Sequence, residues 1–194
     1  MIQALKTGFF KLLLIGLTFT GGFQATASEL SDLLKNPDHV LLMRHANAPG
    51  VGDPAGYKLQ DCKTQRNLDA RGREQAQRTG QWLRRQGVGN ALVFSSAWCR
   101  CKETAENLAF GLPVLEPSLN SFFDDMRQGS QSNLNLQKFI GNQLKIKGDK
   151  ALILVTHHVN IAAFTGENVG SGDMVLAKVN AAGKMISFKI YPSP

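Results

Sequence analysis

The sequence predicts an α/β fold, a three-layer α/β/α sandwich around a mostly parallel central sheet, and three observations carry that expectation. Short apolar runs without helical period, HVLLM at 39–43, ALVFSS at 91–96 and ALILVTHH at 151–158, read as buried strands. Stretches with helical spacing separate them, the alternation that lays parallel strands side by side under covering helices. Finally, the strands run into polar, mostly cationic residues: Arg44-His45-Ala46, Ser95-Ser96 shortly before Arg100, and Thr156-His157-His158. Ligand sites in such sheets gather at the carboxyl ends of the strands, so these groups are expected along one edge.

The chain opens on an address. Lys6 and Lys11 precede an apolar run, Leu12 to Phe19, and Ala25-Thr26-Ala27 supplies the small residues that signal peptidase needs, so residues 1–27 are read as a signal peptide. The run falls short of the ~20 apolar residues that cross a bilayer, and Gly16, Thr18 and Thr20 interrupt it. No stable membrane insertion is therefore expected once the segment is removed, and the absence of a Cys soon after the run argues against a lipid anchor. Residues 28–194 are then 167 residues, the size of one domain, in a periplasmic or secreted setting.

Within that domain a polar, Gly-rich loop (Ala48 to Arg66) follows the first strand. Asp69 to Gly87 reads as a helix, with Ala76, Gly80, Leu83 and Gly87 at helical spacing, Asp69 as its cap and Gly87 as its stop. Arg100 to Phe110 is a second helix, with Cys101, Thr104, Ala105, Leu108 and Ala109 on one stripe. Leu136, Ile140 and Leu144 mark a third, and Ile161 to Phe164 lie on a short fourth. MVLAKV (174–179) and MISFKI (185–190), joined through Asn180 to Gly183, read as a closing hairpin. Residues 49–66 and 120–133 are expected as loops over the site that set specificity.

A composition of 43% hydrophobic and 19% charged residues excludes disorder, collagen and a coiled coil. The net charge is +7, or +5 without the two lysines of the signal segment. Basic residues crowd between Lys63 and Arg85, which fits either a solvated helix face or a surface that attracts anions. No aromatic interleaving or motif supports nucleic-acid binding. Cys62, Cys99 and Cys101 are an odd number, so an exported chain should form one pair. Cys62 with Cys99 is favoured, since Cys101 falls on the inner face of its helix; a C-x-C zinc site is the rival, weakened by the lack of a second Cys pair.

Two arginines and two histidines at strand ends suit a small polyanion, because guanidiniums grip phosphate oxygens in pairs and imidazole can donate, accept or attack. In sequence, LLMRHANAPG, the RNLDARGREQAQ helix, SSAWCRCKETA and VTHH resemble the histidine phosphatase superfamily, the phosphoglycerate mutase-like fold, from about Val40 to about Gly166. The resemblance implies that His45 is a nucleophile that becomes phosphorylated. It implies that Arg44, Arg100 and His157 bind the phosphoryl group, with water then cleaving the phosphohistidine. No cofactor or metal is implied. His158 should point elsewhere, His39 opens a strand on the far side as a structural residue, and Ser95 and Ser96 lack a nucleophile elbow.

Two departures matter. Ser121 stands where the mutase-like members carry the acid of an L-N-E segment, leaving Asp124 and Asp125 as candidate proton donors, with Asp125 preferred. Ala48 replaces a usual Thr. The expected activity is that of an exported phosphomonoesterase of the histidine acid type. Resemblance to bacterial enzymes that trim phosphate from lipopolysaccharide heptose suggests an envelope sugar phosphate as substrate. A non-catalytic binder of phosphate or phosphosugars on the same fold is the alternative reading. A metal-binding role for the histidines and cysteines is disfavoured, since arginines make no sense around a cation.

Overall fold

The computed structural model describes residues 29–194; the segment expected to be a signal peptide lies outside them. The runs that read as strands pair into a six-stranded sheet in the order β3-β2-β4-β1-β5-β6. Here β1 is His39–Arg44, β2 Ala91–Ser95, β3 Val114–Leu115, β4 Ala151–Thr156, β5 Met174–Val179 and β6 Met185–Tyr191. β1, β2, β3 and β4 run parallel; β5 pairs antiparallel to β1, and β6 turns back antiparallel to β5 to close the sheet. In register, Leu41 faces Ile153 and Arg44 faces Thr156, so β1 and β4 end side by side.

The central strands β1 and β4 are near-continuously apolar because both faces of the sheet are covered there. Successive side chains alternate between faces. Leu41, Met43, Ile153 and Val155 pack with residues of α1 (Glu29–Lys35), α2 (Ala70–Arg85) and α3 (Cys99–Asn107). Val40, Leu42, Leu152 and Leu154 pack with residues of α4 (Gly129–Ile146) and α5 (His158–Thr165). Two cores back to back make the three layers the sequence predicts.

Asp69 caps α2 as expected, accepting from the Gly72 N–H at 2.7 Å. A Cβ at Gly72 would collide with the carbonyl of Asn47, so its lack lets the helix abut the chain just after His45. In the β5–β6 turn, Gly183 has φ 77° and likewise lies against the Gln137 carbonyl.

Some boundaries differ from the sequence reading. α3 stops at Asn107 rather than Phe110, and residues 129–133, expected in a loop, form the first turns of α4. Neither α1 nor the two-residue β3 was anticipated; the first is only about two turns long, and the second has no period to read. Buried Lys147 donates from Nζ to the carbonyls of Leu34 (2.8 Å), Lys35 (3.1 Å), Gly148 (3.4 Å) and Lys150 (3.1 Å), tying the end of α1 to the end of α4. No helix among the described residues is long and apolar enough to cross a membrane.

Candidate active site

The end of β1 is held on several sides. The His45 N–H continues the sheet to the Thr156 carbonyl (2.9 Å), the Ala46 N–H donates to Thr104 Oγ1 of α3 (3.0 Å), and the Asn47 N–H donates to Gln75 Oε1 of α2 (2.8 Å). The His45 ring is 1% exposed, and its Nδ1 lies 2.8 Å from the Ala46 carbonyl. A carbonyl can only accept, so the proton sits on Nδ1 and the lone pair on Nε2. Burial, reinforced by Arg100, Arg66 and Arg44, lowers the His45 pKa to about 3 against the hydrogen bond to Ala46, which raises it. The ring is neutral at physiological pH.

The arginines converge on that ring from two elements. Arg44, the last residue of β1, donates from Nη1 to the Val169 carbonyl (2.7 Å), and Arg100 enters from the first turn of α3. Both have a buried Nε without a hydrogen-bond partner. Orphaned buried donors cost about 1–3 kcal/mol each, and an oxyanion would satisfy both. Arg66, which the sequence reading left in the basic cluster, is a third guanidinium here; it donates to the carbonyls of Gly52 (2.8 Å) and Ala48. Desolvation and the charge of Arg100 push the pKa of Arg66 down, the signature of cations gathered in a partly closed space.

His157, at the end of β4, has its ring centroid 5.5 Å from that of His45 and 5.3 Å from that of Trp98. Its Nε2 lies 2.9 Å from Ser96 Oγ and 3.4 Å from Cys101 Sγ. Burial pushes its pKa well below the usual histidine value, with His45 and Arg100 adding to the shift. Burial also raises the Cys101 thiol to about 12, so it stays protonated and is no nucleophile. Ser96 thus supports the His157 ring. The favoured disulfide, Cys62 to Cys99, is present, and Cys101 is the free thiol.

Arg44, His45, Arg100 and His157 line a single cavity of about 210 Å³, together with Asp124, Arg66, Asp53 and His158. His158 therefore does not point away as expected; it packs on Phe123 at 5.6 Å between centroids on the cavity wall. Asp125 is not on the cavity wall. Its carboxylate accepts from Arg127 Nε (2.7 Å), Arg127 Nη2 (3.0 Å) and Gln128 Nε2 (3.2 Å), and these bonds hold it below the usual carboxylate range. The preference for Asp125 over Asp124 is thus corrected by geometry: one side chain caps the turn beside it, and the other faces the cavity. Asp124 itself accepts from the Tyr57 hydroxyl at 2.9 Å, and burial together with that bond raises Tyr57 to about 12. Among the described residues no group of three or more His, Cys, Asp or Glu is placed to hold a metal ion.

A cavity floored by three guanidiniums and two neutral imidazoles, one with a free lone pair, can bind a phosphoryl group and attack it. Compared with known families, residues 40–145 match the histidine phosphatase superfamily (branch 1). That span exceeds half of the chain, and the chain belongs to this family. Solved structures of similar fold include the protein histidine phosphatase SixA complexed with tungstate, at 18% identity over 78% of this chain and 94% of that one, TM-score 0.54. A mycobacterial glucosyl-3-phosphoglycerate phosphatase complexed with VO3 is 14% identical over 80% of this chain and 98% of that one, TM-score 0.56. A mycobacterial hydrolase is 13% identical with the same coverages, TM-score 0.59. Against curated proteins the sequence finds no match.

Sequence reasoning missed Asp53 and Arg66. Both lie in a loop without periodicity, and the one available signal was their place between the first strand and the helix that abuts it.

Proposed function

We propose that this chain is an exported phosphomonoesterase that works through a phosphohistidine on His45. The observation that carries the reading is the His45 Nδ1 contact to the Ala46 carbonyl at 2.8 Å, which leaves the Nε2 lone pair beside guanidiniums with unfilled donors. Nε2 attacks phosphorus, the bond to the ester oxygen breaks, and that oxygen leaves with the bonding pair. Arg44, Arg100 and His157 answer the charge on the other phosphoryl oxygens, where electrostatics and positioning supply most of the catalysis. Water then cleaves the phosphorus–nitrogen bond, and its proton balances the one taken up by the departing alcohol.

The leaving oxygen has a poor supply of acid. Ser121 occupies the expected acid position, Asp125 is tied to Arg127, and Asp124 already accepts from Tyr57. Substrates with good leaving groups are favoured accordingly. This same scarcity supports the alternative, a binder of phosphate or phosphosugars that has lost its chemistry. Export is supported by the disulfide, a bond of oxidising compartments. An envelope sugar phosphate remains the proposed physiological substrate.

Quenching the enzyme during turnover of 32P-labelled p-nitrophenyl phosphate tests the mechanism. The expected result is an acid-labile, base-stable label on His45 that His45→Ala abolishes. Label on another residue contradicts the mechanism. Tight phosphate binding with no turnover moves the assignment to the binder.

A further inference from the structure

We propose that Asp53 is the positioning residue of this site: it pins Arg100 by one corner so that the rest of the guanidinium is presented to the phosphoryl group. The inference rests on the phosphate-binding reading above and adds a residue to it.

Asp53 and Arg100 are a buried pair, each side chain 4% exposed. Arg100 Nη1 donates to both carboxylate oxygens, at 2.9 and 3.1 Å. The remaining capacity of the carboxylate is used as well. Oδ1 accepts from the Arg66 backbone N–H at 2.9 Å, and Oδ2 accepts from Trp98 Nε1 at 3.0 Å. A carboxylate offers about four acceptor sites, and here each has a donor. Asp53 is therefore badly placed to take or give a proton during the reaction, and its role runs through the groups it holds.

What it holds is the guanidinium whose Nε is buried without a partner. Arg100 is anchored at Nη1 and open at Nε, just as Arg44 is anchored at Nη1 by the Val169 carbonyl and open at Nε. A free arginine side chain has many rotamers to lose, and holding it in place beforehand removes that cost from ligand binding.

The carboxylate is itself delivered by a fixed frame. The Cys62–Cys99 disulfide ties its loop to the first residue of α3, and the Cys99 N–H donates to Gln65 Oε1 at 3.0 Å. The opposite role is a plug, in which Asp53 occupies Arg100 in place of phosphate and must be displaced. The two roles predict opposite signs.

The experiment is a double-mutant cycle with Asp53→Ala, Arg100→Ala and the pair. Its readouts are calorimetric affinity for inorganic phosphate, kcat and KM for p-nitrophenyl phosphate, and melting temperature. The expected result for Asp53→Ala is weaker phosphate binding and a loss of about 10- to 100-fold in kcat/KM, the scale of a misplaced catalytic group. In the Arg100→Ala background the same change should cost nothing further, because residues that act through one another are not additive. Asp53→Asn, which keeps an acceptor for Trp98 and Arg100, should fall between wild type and Asp53→Ala, and it carries the same cycle if Asp53→Ala does not fold. Additive losses overturn the proposal, and so does tighter phosphate binding in Asp53→Ala. A wild-type protein that binds phosphate without hydrolysis sinks the enzymatic reading alone, since the cycle still runs on affinity; one that does neither sinks both.

Discussion

His45 is neutral because it is buried among cations, and this makes its pH behaviour predictable. Its folded pKa of about 3 lies below the value near 6.5 of an exposed histidine. The folded protein thus binds fewer protons than the unfolded chain. The stability tied to this ring is complete above pH ~6.5 and is lost as pH falls from there toward the folded value. For activity, the nucleophile should stay competent in acid: once substrate ionisation is allowed for, protonation of His45 should cause no fall in kcat/KM between pH ~4 and ~7. An NMR titration of the His45 ring with a midpoint near 6.5 would refute this. Removing Arg44 or Arg100 by substitution to Ala should raise the barrier by roughly 3 kcal/mol, about a hundredfold in kcat/KM, by analogy with lost oxyanion donors. Arg44, His45, Arg100 and His157 were legible in the sequence because regular elements deliver them: Arg44 ends β1, His45 and His157 directly follow β1 and β4, and Arg100 lies in the first turn of α3. Asp53, Arg66 and the choice between Asp124 and Asp125 were not, because loop side chains find partners that no period announces.

Among the elements, α3 bears the most on the site. It supplies Arg100, packs Cys101 under His157, caps the Ala46 N–H through Thr104, and is cross-linked at Cys99 to the loop that carries Asp53. The disulfide spans 37 residues, and closing a loop of that size is worth up to about 4 kcal/mol in the unfolded-chain account. Cys62→Ala should therefore lower the melting temperature of the oxidised protein to that of the reduced wild type. Reduction that leaves the wild-type melting temperature unchanged would show that the cross-link contributes nothing to the fold. The close approach of α2 makes a second prediction. Gly72→Ala should destabilise by about 1–3 kcal/mol, the usual cost of overpacking, because the added methyl meets the Asn47 backbone rather than a side chain that can swing away. Denaturant titration measures it. The strands and the α2 cap were readable from apolar runs and from Asp69. The helical start of α4 was hidden by polar residues 128–133, whose composition suits a loop as well as an exposed first turn.

At the scale of the whole molecule, the sheet decides where chemistry can occur. β1, β2 and β4 are parallel neighbours in the order β2-β4-β1, so their carboxyl ends share one edge, and residues far apart in sequence meet there. The topology was implied by alternation of strands and helices, whereas α1 and β3 were not, since neither is long enough to show a pattern. The central claim is that this edge grips a tetrahedral anion and offers it the Nε2 of His45. Its most direct test is a crystal structure of the protein with orthovanadate, an ion that takes the geometry of phosphoryl transfer. The account predicts vanadium bonded to His45 Nε2, with its oxygens on Arg44, Arg100 and His157. Vanadate bound to a different nucleophile, or absent from a cavity in which those four side chains are otherwise intact, would contradict it.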